Sequence, residues 1–177
     1  MRPAVATVCS LDAALPTILE DYAAGHCDAV DLWLGHAEAV LESRSPAELR
    51  DLFASFGITP VAASFQGGLL TSQGEARLEH WSLFEKRLPL LGELGIPVLV
   101  VAGDAFGPLS PQDLSRLSMS LSEAGKRAAD VGVKLALEFD ARASFPNNLL
   151  YLVYWPNNAF QNRGLMHVID GQRQSWA

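Results

Sequence analysis

The stretch Val133-Lys134-Leu135-Ala136-Leu137-Glu138-Phe139-Asp140 predicts a buried strand that ends in carboxylates. Successive side chains of a strand point to opposite faces, so the apolar residues at alternate positions from Val133 to Phe139 share one face. Glu138 lies on the other face, toward the carboxyl end, where parallel α/β folds bind their ligands. A strand covered on both faces is apolar nearly throughout, so a charge here is difficult to explain by packing. We therefore take Glu138 as the leading candidate for a functional residue.

The rest of the chain repeats this pattern of a strand followed by a helix. Apolar runs predict further strands over residues 5–9, 29–34, 58–65 and 96–102. Units of roughly 30 residues without a hairpin signal are typical of repeated βαβ units and a parallel sheet. The residues alone leave two closures open, a doubly wound sheet and a (β/α)8 barrel. No glycine-rich phosphate loop follows the first strand, which disfavours nucleotide binding.

Two helix starts are marked by their capping residues. Ser45-Pro46-Ala47-Glu48 predicts a capping box with proline at the first helical position, and Ser110-Pro111 predicts the start of a later helix. The segment 35–44 fits either a loop or a short helix, and the sequence does not decide between them.

Composition and charge restrict the function further. The chain has 177 residues, 49% of them hydrophobic and 19% charged, which suffices for one folded domain. Its formal net charge of −7 argues against a nucleic-acid binder or a membrane-surface protein, because both need a basic face. Cys9 and Cys27 are too few for a disulfide framework, and neither a signal peptide nor a membrane span is predicted. We therefore expect a cytoplasmic protein with no nucleic-acid or membrane partner.

Polar side chains recur toward the carboxyl ends of the other predicted strands. When the two faces of each strand are separated, one face is apolar and the other carries a polar group near its end. In a barrel these groups converge on the mouth, where we expect substrate-binding residues. The candidates that join Glu138 there are Asp31, Trp33, Ser64, Gln66 and Asp104.

Four of these candidates also have a structural interpretation. Asp31 fits a hydrogen-bonded carboxylate of the inner wall, Asp104 a turn residue, Trp33 a packing residue, and Gln66 a partner of loop backbone. The sequence leaves these alternatives open.

The histidines show no metal-ligand spacing. We expect His26, His36 and His80 on the surface or in loops, and His80 is also a candidate for the rim of a pocket.

Five segments, taken in order, resemble one known family. They are Asp31-Leu32-Trp33-Leu34, Ala62-Ala63-Ser64-Phe65-Gln66-Gly67-Gly68, Ser72-Gln73-Gly74-Glu75-Ala76-Arg77, Leu94-Gly95-Ile96-Pro97 and Leu135-Ala136-Leu137-Glu138. Within residues 5–148 the series resembles the xylose-isomerase-like TIM-barrel family, the group of sugar and sugar-phosphate isomerases and epimerases with endonuclease IV as a distant relative. The resemblance implies an α/β fold, a parallel (β/α) barrel of the TIM type.

The resemblance also implies a divalent-metal site at the barrel mouth. In that family a glutamate at the end of the fifth strand binds the metal, and Glu138 matches it. The other ligands are an aspartate, a histidine or glutamine, and a second glutamate from later strands. The two glutamates shuttle a proton at the carbon next to a carbonyl, while a metal such as Mn²⁺ or Mg²⁺ stabilises the enediolate. The implied partner is a small sugar or sugar phosphate.

The end of the chain departs from the family pattern. A (β/α)8 barrel takes about 250 residues, and the fifth predicted strand is complete by Phe139. All five asparagines lie after Pro146, and residues from Tyr151 on show no periodicity. We therefore expect an incomplete barrel over residues 1–149, with about five βα units, and an irregular tail over residues 150–177. We hypothesise that this tail is frameshifted or disordered.

Three functions follow from these observations. The first is a metal-dependent sugar or sugar-phosphate isomerase or epimerase. This chain is then either an active form or an inactive fragment. The fragment would bind no metal, because one carboxylate does not hold an ion that takes about six ligands. The second is a non-catalytic, truncated product that self-associates as a homo-oligomer through its open sheet edges. The third, an endonuclease-IV-like phosphodiesterase, is disfavoured by the acidic charge and the lack of clustered histidines.

Overall fold

The structure, a computed structural model, describes residues 3–104 and 108–138. Helical segments separate each strand from the next along these residues, as predicted. In order they are β1 (Val5–Ala6), a 3-10 helix (Thr7–Ser10), α1 (Leu15–Ala24), β2 (Ala29–Trp33), α2 (Leu34–Leu41), α3 (Pro46–Ser55), β3 (Thr59–Gln66), α4 (Gly74–Leu94), β4 (Val98–Ala102), α5 (Pro111–Asp130) and β5 (Lys134–Glu138). The predicted tail over residues 150–177 and the domain boundary before it lie outside the described residues.

The strands form one parallel sheet whose spatial order repeats their order in the sequence. β1 pairs with β2, β2 with β3, β3 with β4 and β4 with β5. A doubly wound sheet reverses its strand order at a switch point, whereas a barrel wall adds each strand beside the previous one. The observed order therefore decides between the two closures and confirms the prediction of an incomplete, TIM-type (β/α) barrel.

Both predicted helix starts are present as hydrogen-bonded capping boxes. At α3 the Ser45 backbone N–H donates to Glu48 Oε2 at 2.7 Å, and the Glu48 N–H donates to Ser45 Oγ at 3.3 Å. The Ser45 backbone hydrogen bond lowers the pKa of Glu48 below its usual value. At α5 the Ser110 hydroxyl and backbone N–H both donate to Asp113, and these bonds, with Ser110 Oγ first, lower the pKa of Asp113 to about 2.

Two segments differ from the simplest expectation. The first predicted strand, residues 5–9, ends at Ala6 and continues as the 3-10 helix, so that Thr7 turns into the interior. The undecided segment 35–44 contains a helix, α2, whose residues Leu34 and Ala37 are fully buried. Burial of this apolar face, rather than a capping residue, stabilises α2, since its N-terminus has no side-chain cap.

The hydrophobic core lies between the sheet and its helices. Leu32, Ala63 and Leu99, one from each central strand, are 0% exposed and pack in one cluster with Phe84 and Leu91 of α4. Each large apolar side chain buried in this way stabilises the fold by about 1.5–3 kcal/mol. The core therefore fixes which face of each strand turns toward the helices.

Among the helices that the structure describes, none has the length and apolar character that crossing a membrane requires.

Candidate functional site

The carboxyl ends of the strands meet at one edge of the sheet, which we call the carboxyl edge and which is marked by Trp33, Ser64 and Glu138. Trp33 is the register partner of Ser64 between β2 and β3, and Glu138 is the partner of Ala102 between β4 and β5. Because all five strands are parallel, these residues project from the same end of the sheet. Asp31 lies two residues before Trp33 on the same strand.

Burial separates the two faces of β2 in the way that alternation predicts. Val30 and Leu32 are 0% exposed and belong to the core, whereas Asp31 and Trp33, which alternate with them along the strand, are half-buried. Ser64 on β3 is likewise half-buried. Asp31, Trp33 and Ser64 therefore lie on the face turned away from the core.

Gln66 corrects the predicted alternation in β3. The prediction placed Gln66 beside Ser64 on the inner face, but its side chain is 1% exposed and its amide oxygen accepts a hydrogen bond from Arg87 Nη1 at 3.1 Å. The register between β3 and β4 shifts between Ala63 and Gln66, and Phe65 in this interval has a φ of 85°. This bulge turns Gln66 into the interior, so its predicted position on the inner face was wrong.

Arg87 on α4 holds this irregular end of β3, and the sequence analysis missed it. Its side chain is 4% exposed, and Nε donates to Glu38 Oε1 at 2.8 Å while Nη1 donates to the Phe65 carbonyl at 2.7 Å. A buried guanidinium requires such partners. The sequence carried a signal, because Arg87 lies three residues after the buried Phe84 and four before Leu91, on the apolar face of the helix.

Asp104 follows the end of β4, and its hydrogen bonds connect the loop after β4 to the loop after β3. Its Oδ2 accepts a hydrogen bond from the Gly68 N–H at 2.6 Å, and its carbonyl accepts one from Thr71 Oγ1 at 3.2 Å. The second carboxylate oxygen is buried and has no hydrogen-bond partner among the described residues. These bonds support the structural alternative for Asp104, with one oxygen left for a further donor.

A cavity of about 510 Å³ adjoins Asp104, between the loop after β3 and the start of α5. Its two guanidinium groups already have partners, since Arg77 donates to the Leu69 carbonyl at 3.1 Å and Arg116 pairs with Asp113. The cavity therefore offers a ligand few charged groups that are not engaged elsewhere.

His80 lies on α4 beneath the loop after β3. A Cβ added to Gly68 would lie 2.1 Å from His80 Nδ1, and Gly68 has a φ of 73°. Only glycine fits this position, because it has no Cβ and adopts positive φ freely. His80 thus packs against the loop and is not one of the residues that line the cavity among those the structure describes.

His36 and Thr7 form a buried network that the sequence analysis also missed. Thr7 Oγ1 accepts a hydrogen bond from the Trp33 N–H at 2.8 Å and lies 3.2 Å from His36 Nδ1. His36 is only 5% exposed, so the expectation that it lies on the surface or in a loop was wrong. Its ring contacts the Trp33 ring edge-on, with centroids 4.8 Å apart, so the network fixes both backbone and ring of Trp33.

The backbone of Glu138 is held by the end of β4. Its carbonyl accepts a hydrogen bond from the Gly103 N–H at 2.8 Å, and a Cβ on Gly103 would lie 2.6 Å from that oxygen. Glycine at 103 therefore allows β4 to close tightly against the last residue of β5. The side chain of Glu138 is half-buried at the carboxyl edge.

A family model described as a xylose isomerase-like TIM barrel matches residues 21–151, well over half of the chain. The chain belongs to this family. The match confirms the resemblance that the five sequence segments indicated, and the sequential parallel order of the strands agrees with the family's barrel.

Solved structures show the same xylose isomerase-like fold. The IolI protein with a bound zinc atom is 20% identical, with a TM-score of 0.70 over 78% of this chain and 51% of its own. D-psicose 3-epimerase in the presence of D-fructose is 20% identical, with a TM-score of 0.66 over 90% of this chain and 61% of its own. The probable 3-DHS dehydratase AsbF from Bacillus anthracis is 12% identical, with a TM-score of 0.74 over 88% of this chain and 58% of its own.

The chain thus spans between 51% and 61% of the length of these three structures. At these identities the likeness shows the fold. No curated protein matches the sequence.

The xylose isomerase-like family implies a divalent metal, but the described residues do not complete a site for one. Mg²⁺ and Mn²⁺ take about six oxygen ligands, and zinc takes about four ligands. Within residues 3–104 and 108–138, no three His, Cys, Asp or Glu side chains lie together as a ligand set. Glu138 would supply one carboxylate to such a site.

Proposed function

We propose that the protein is a sugar or sugar-phosphate isomerase or epimerase that transfers a proton at the carbon next to a carbonyl. The observation that carries this proposal is the position of Glu138 at the carboxyl end of β5, at the edge shared with Trp33 and Ser64. Membership of the xylose isomerase-like family and the fold shared with D-psicose 3-epimerase support it. The proposed partner is the small substrate, with neither nucleic acid nor membrane involved.

Glu138 is proposed as the acid and base of this reaction. Its carboxylate accepts the proton from the carbon next to the carbonyl, and the electron pair of the broken C–H bond forms the enediolate. Return of this proton to the former carbonyl carbon, while the proton of the adjacent hydroxyl passes to the former carbonyl oxygen, gives the isomer. Delivery of a different proton by a second acid to the opposite face of the first carbon, while Glu138 keeps the proton that it removed, gives the epimer. A positioned general acid or base contributes about 10²–10⁴-fold to the rate. Asp31, Trp33 and Ser64 are proposed to bind the substrate, since they share the face turned away from the core.

A divalent metal is proposed as the cofactor, with Glu138 as one ligand. The zinc atom in the IolI structure supports this proposal for the family's fold. The remaining ligands would have to come from outside the described residues, so no step of the reaction is assigned to the ion.

Metal content tests the cofactor proposal directly. The purified chain is incubated with Mn²⁺, dialysed and measured by mass spectrometry of the metal. We expect about one ion per chain, lost in Glu138→Ala and retained in Glu79→Ala, since Glu79 is an exposed glutamate of α4. Retention of the ion in Glu138→Ala, or no binding by the unsubstituted chain, would contradict the proposal.

Self-association without catalysis is the second candidate function. Among the described strands, β1 pairs only with β2 and β5 only with β4, so each has one strand edge without a described partner. Open edges of this kind pair readily with another chain. Sedimentation velocity over a hundredfold concentration range separates the two candidates, because this one predicts concentration-dependent oligomers without metal or sugar binding. A monomer at all concentrations excludes it.

A further inference from the structure

Phe65, the residue before the last of β3, combines an exposed side chain with an unusual backbone conformation. The side chain is 58% exposed and φ is 85°. A residue with a bulky side chain rarely adopts positive φ, because its Cβ crowds the backbone. Within the described residues, His26 is the one other non-glycine residue with positive φ, and it follows the end of α1, where such a conformation is common. Phe65 lies in a strand and requires a different cause.

Arg87 supplies that cause. Its guanidinium donates hydrogen bonds to the Phe65 carbonyl at 2.7 Å and to the Gln66 amide oxygen at 3.1 Å. An ion pair with Glu38, with an N–O distance of 2.7 Å, holds the guanidinium in this position. The guanidinium carbon also lies 5.8 Å from the centroid of the Phe65 ring. With the carbonyl and the next side chain both drawn toward α4, the Phe65 side chain is turned away from the core.

The Phe65 ring is thereby placed against the Trp33 ring at the carboxyl edge. The two centroids are 4.9 Å apart, with an interplanar angle of 54°. β3 and β5 are separated by one strand, so the carboxyl ends of these two strands lie about 10 Å apart. Side chains from the two strands can contact a single small ligand across that distance. Strained backbone that its surroundings enforce is concentrated at ligand sites.

The geometry points to Phe65 and Trp33 as an aromatic rim that binds the C–H face of a sugar. Phe65 is the specificity-determining residue of this rim, and Arg87 is the positioning residue that holds Phe65 in place. The inference rests on the proposed function and deepens it, because it assigns the part of the site that recognises the carbon skeleton. A pair of one exposed ring, Phe65, and one half-buried ring, Trp33, suits a ligand with contiguous C–H groups and hydroxyls at its edge.

Binding of D-fructose by isothermal titration calorimetry tests the role of Phe65. We compare the unsubstituted chain with Phe65→Ala and Phe65→Gly, and we use Leu78→Ala as the control because Leu78 is a 73% exposed apolar residue of α4. An aromatic contact of this kind contributes a factor of about three to ten in affinity. We therefore expect both Phe65 variants to raise Kd about threefold to tenfold, and the control to leave it unchanged.

Arg87→Lys tests the positioning role. Lysine keeps the charge beside Glu38, but a single ammonium cannot reproduce the planar fork that serves three acceptors. We expect Arg87→Lys to raise Kd as far as Phe65→Ala does. Adding Arg87→Lys to Phe65→Ala should then cause no further loss, whereas general structural damage would add to it.

The outcomes separate this inference from the proposed function. Sugar binding that depends on Phe65, without exchange of the proton next to the carbonyl, supports the rim and overturns the proposed reaction. Proton exchange with unchanged Kd and KM in both Phe65 variants overturns the rim and supports the reaction. Absence of both binding and exchange overturns both.

Discussion

Replacement of Arg87 by methionine is expected to destabilise the fold strongly. Methionine keeps most of the volume of the buried side chain and removes every hydrogen bond that it makes. The groups left behind are the Gln66 amide oxygen, the Phe65 carbonyl and the Glu38 carboxylate.

The magnitude follows from where these three acceptors lie. Gln66 is 1% exposed, so its orphaned oxygen costs about 1–3 kcal/mol, and the part-buried Phe65 carbonyl adds about 1 kcal/mol. Glu38 is 42% exposed and returns to water, so its loss contributes little. We therefore expect the free energy of unfolding to fall by about 3 kcal/mol. For a chain of this size Tm should fall by about 6–12 °C.

Urea unfolding followed by circular dichroism measures this difference. Arg116→Met is the matched control, because the Arg116 side chain is 39% exposed and pairs with Asp113 within one turn of α5. An exposed pair of this kind contributes little to stability, so the control should be close to the unsubstituted chain. If Arg87→Met unfolds within about 0.5 kcal/mol of the control, Arg87 does not hold the end of β3 as described.

Three further changes test the local geometry. Phe65→Gly should be more stable than Phe65→Ala by about 1 kcal/mol in urea, because glycine accepts a φ of 85° without Cβ strain; equal stability would show that the strain is absent. Ser110→Ala should raise the Asp113 pKa from about 2 toward its usual 3.8 in an NMR titration, since the Ser110 hydroxyl is the main cause of the depression. Because the Asp113 pKa is lower in the folded state, the ionised carboxylate stabilises the fold at pH values above the unfolded-state pKa of 3.8, and this contribution is lost as the pH falls from 3.8 to about 2. An Asp113 pKa that is unchanged in Ser110→Ala would contradict the described cap. Gly103→Ala should lower the free energy of unfolding by about 1–3 kcal/mol, because the added Cβ would lie 2.6 Å from the Glu138 carbonyl oxygen. The control Gly125→Ala, within α5, should be neutral or stabilising, because nothing lies within 4 Å of the added Cβ. A Gly103→Ala variant as stable as Gly125→Ala would refute the close approach of β4 and β5.

The helices and strands were predictable because local sequence patterns determine them. The capping residues at Ser45 and Ser110 and the apolar runs of the strands each depend on a few neighbouring residues. The choice between a barrel and a doubly wound sheet was not local, since it depends on which strands lie side by side. The family resemblance resolved that choice before the strand order did.

The site was predictable only in part, and Gln66 shows why. Strict alternation placed it on the inner face, but the bulge before it is stabilised by Arg87, a residue 21 positions later in the chain. A register shift caused by a distant guanidinium leaves no mark on the period-2 pattern. Phe65 exchanged faces with Gln66 for the same reason, and so became a candidate for ligand contact that the sequence did not suggest.

His36 illustrates a second limit. Its burial depends on Thr7, which lies 29 residues earlier and turns inward only because β1 ends in a 3-10 helix. Asp31, Trp33 and Glu138 lie on the predicted face or edge because β2 and β5 are regular there, and Ser64 lies on the predicted face although the register of β3 shifts around it. Prediction from the sequence was therefore reliable where strands are regular and failed where a side chain from another element alters them.

Exchange of solvent deuterium into a ketose tests the central claim most directly. The chain is incubated with D-fructose and Mn²⁺ in D₂O, and the hydrogen next to the carbonyl is followed by proton NMR for the unsubstituted chain, Glu138→Gln and the control Glu79→Gln. We expect exchange that Glu138→Gln slows by about 10²–10⁴-fold and Glu79→Gln leaves unchanged. Exchange at the same rate in Glu138→Gln, or no exchange above the protein-free rate with any ketose tested, would contradict the claim.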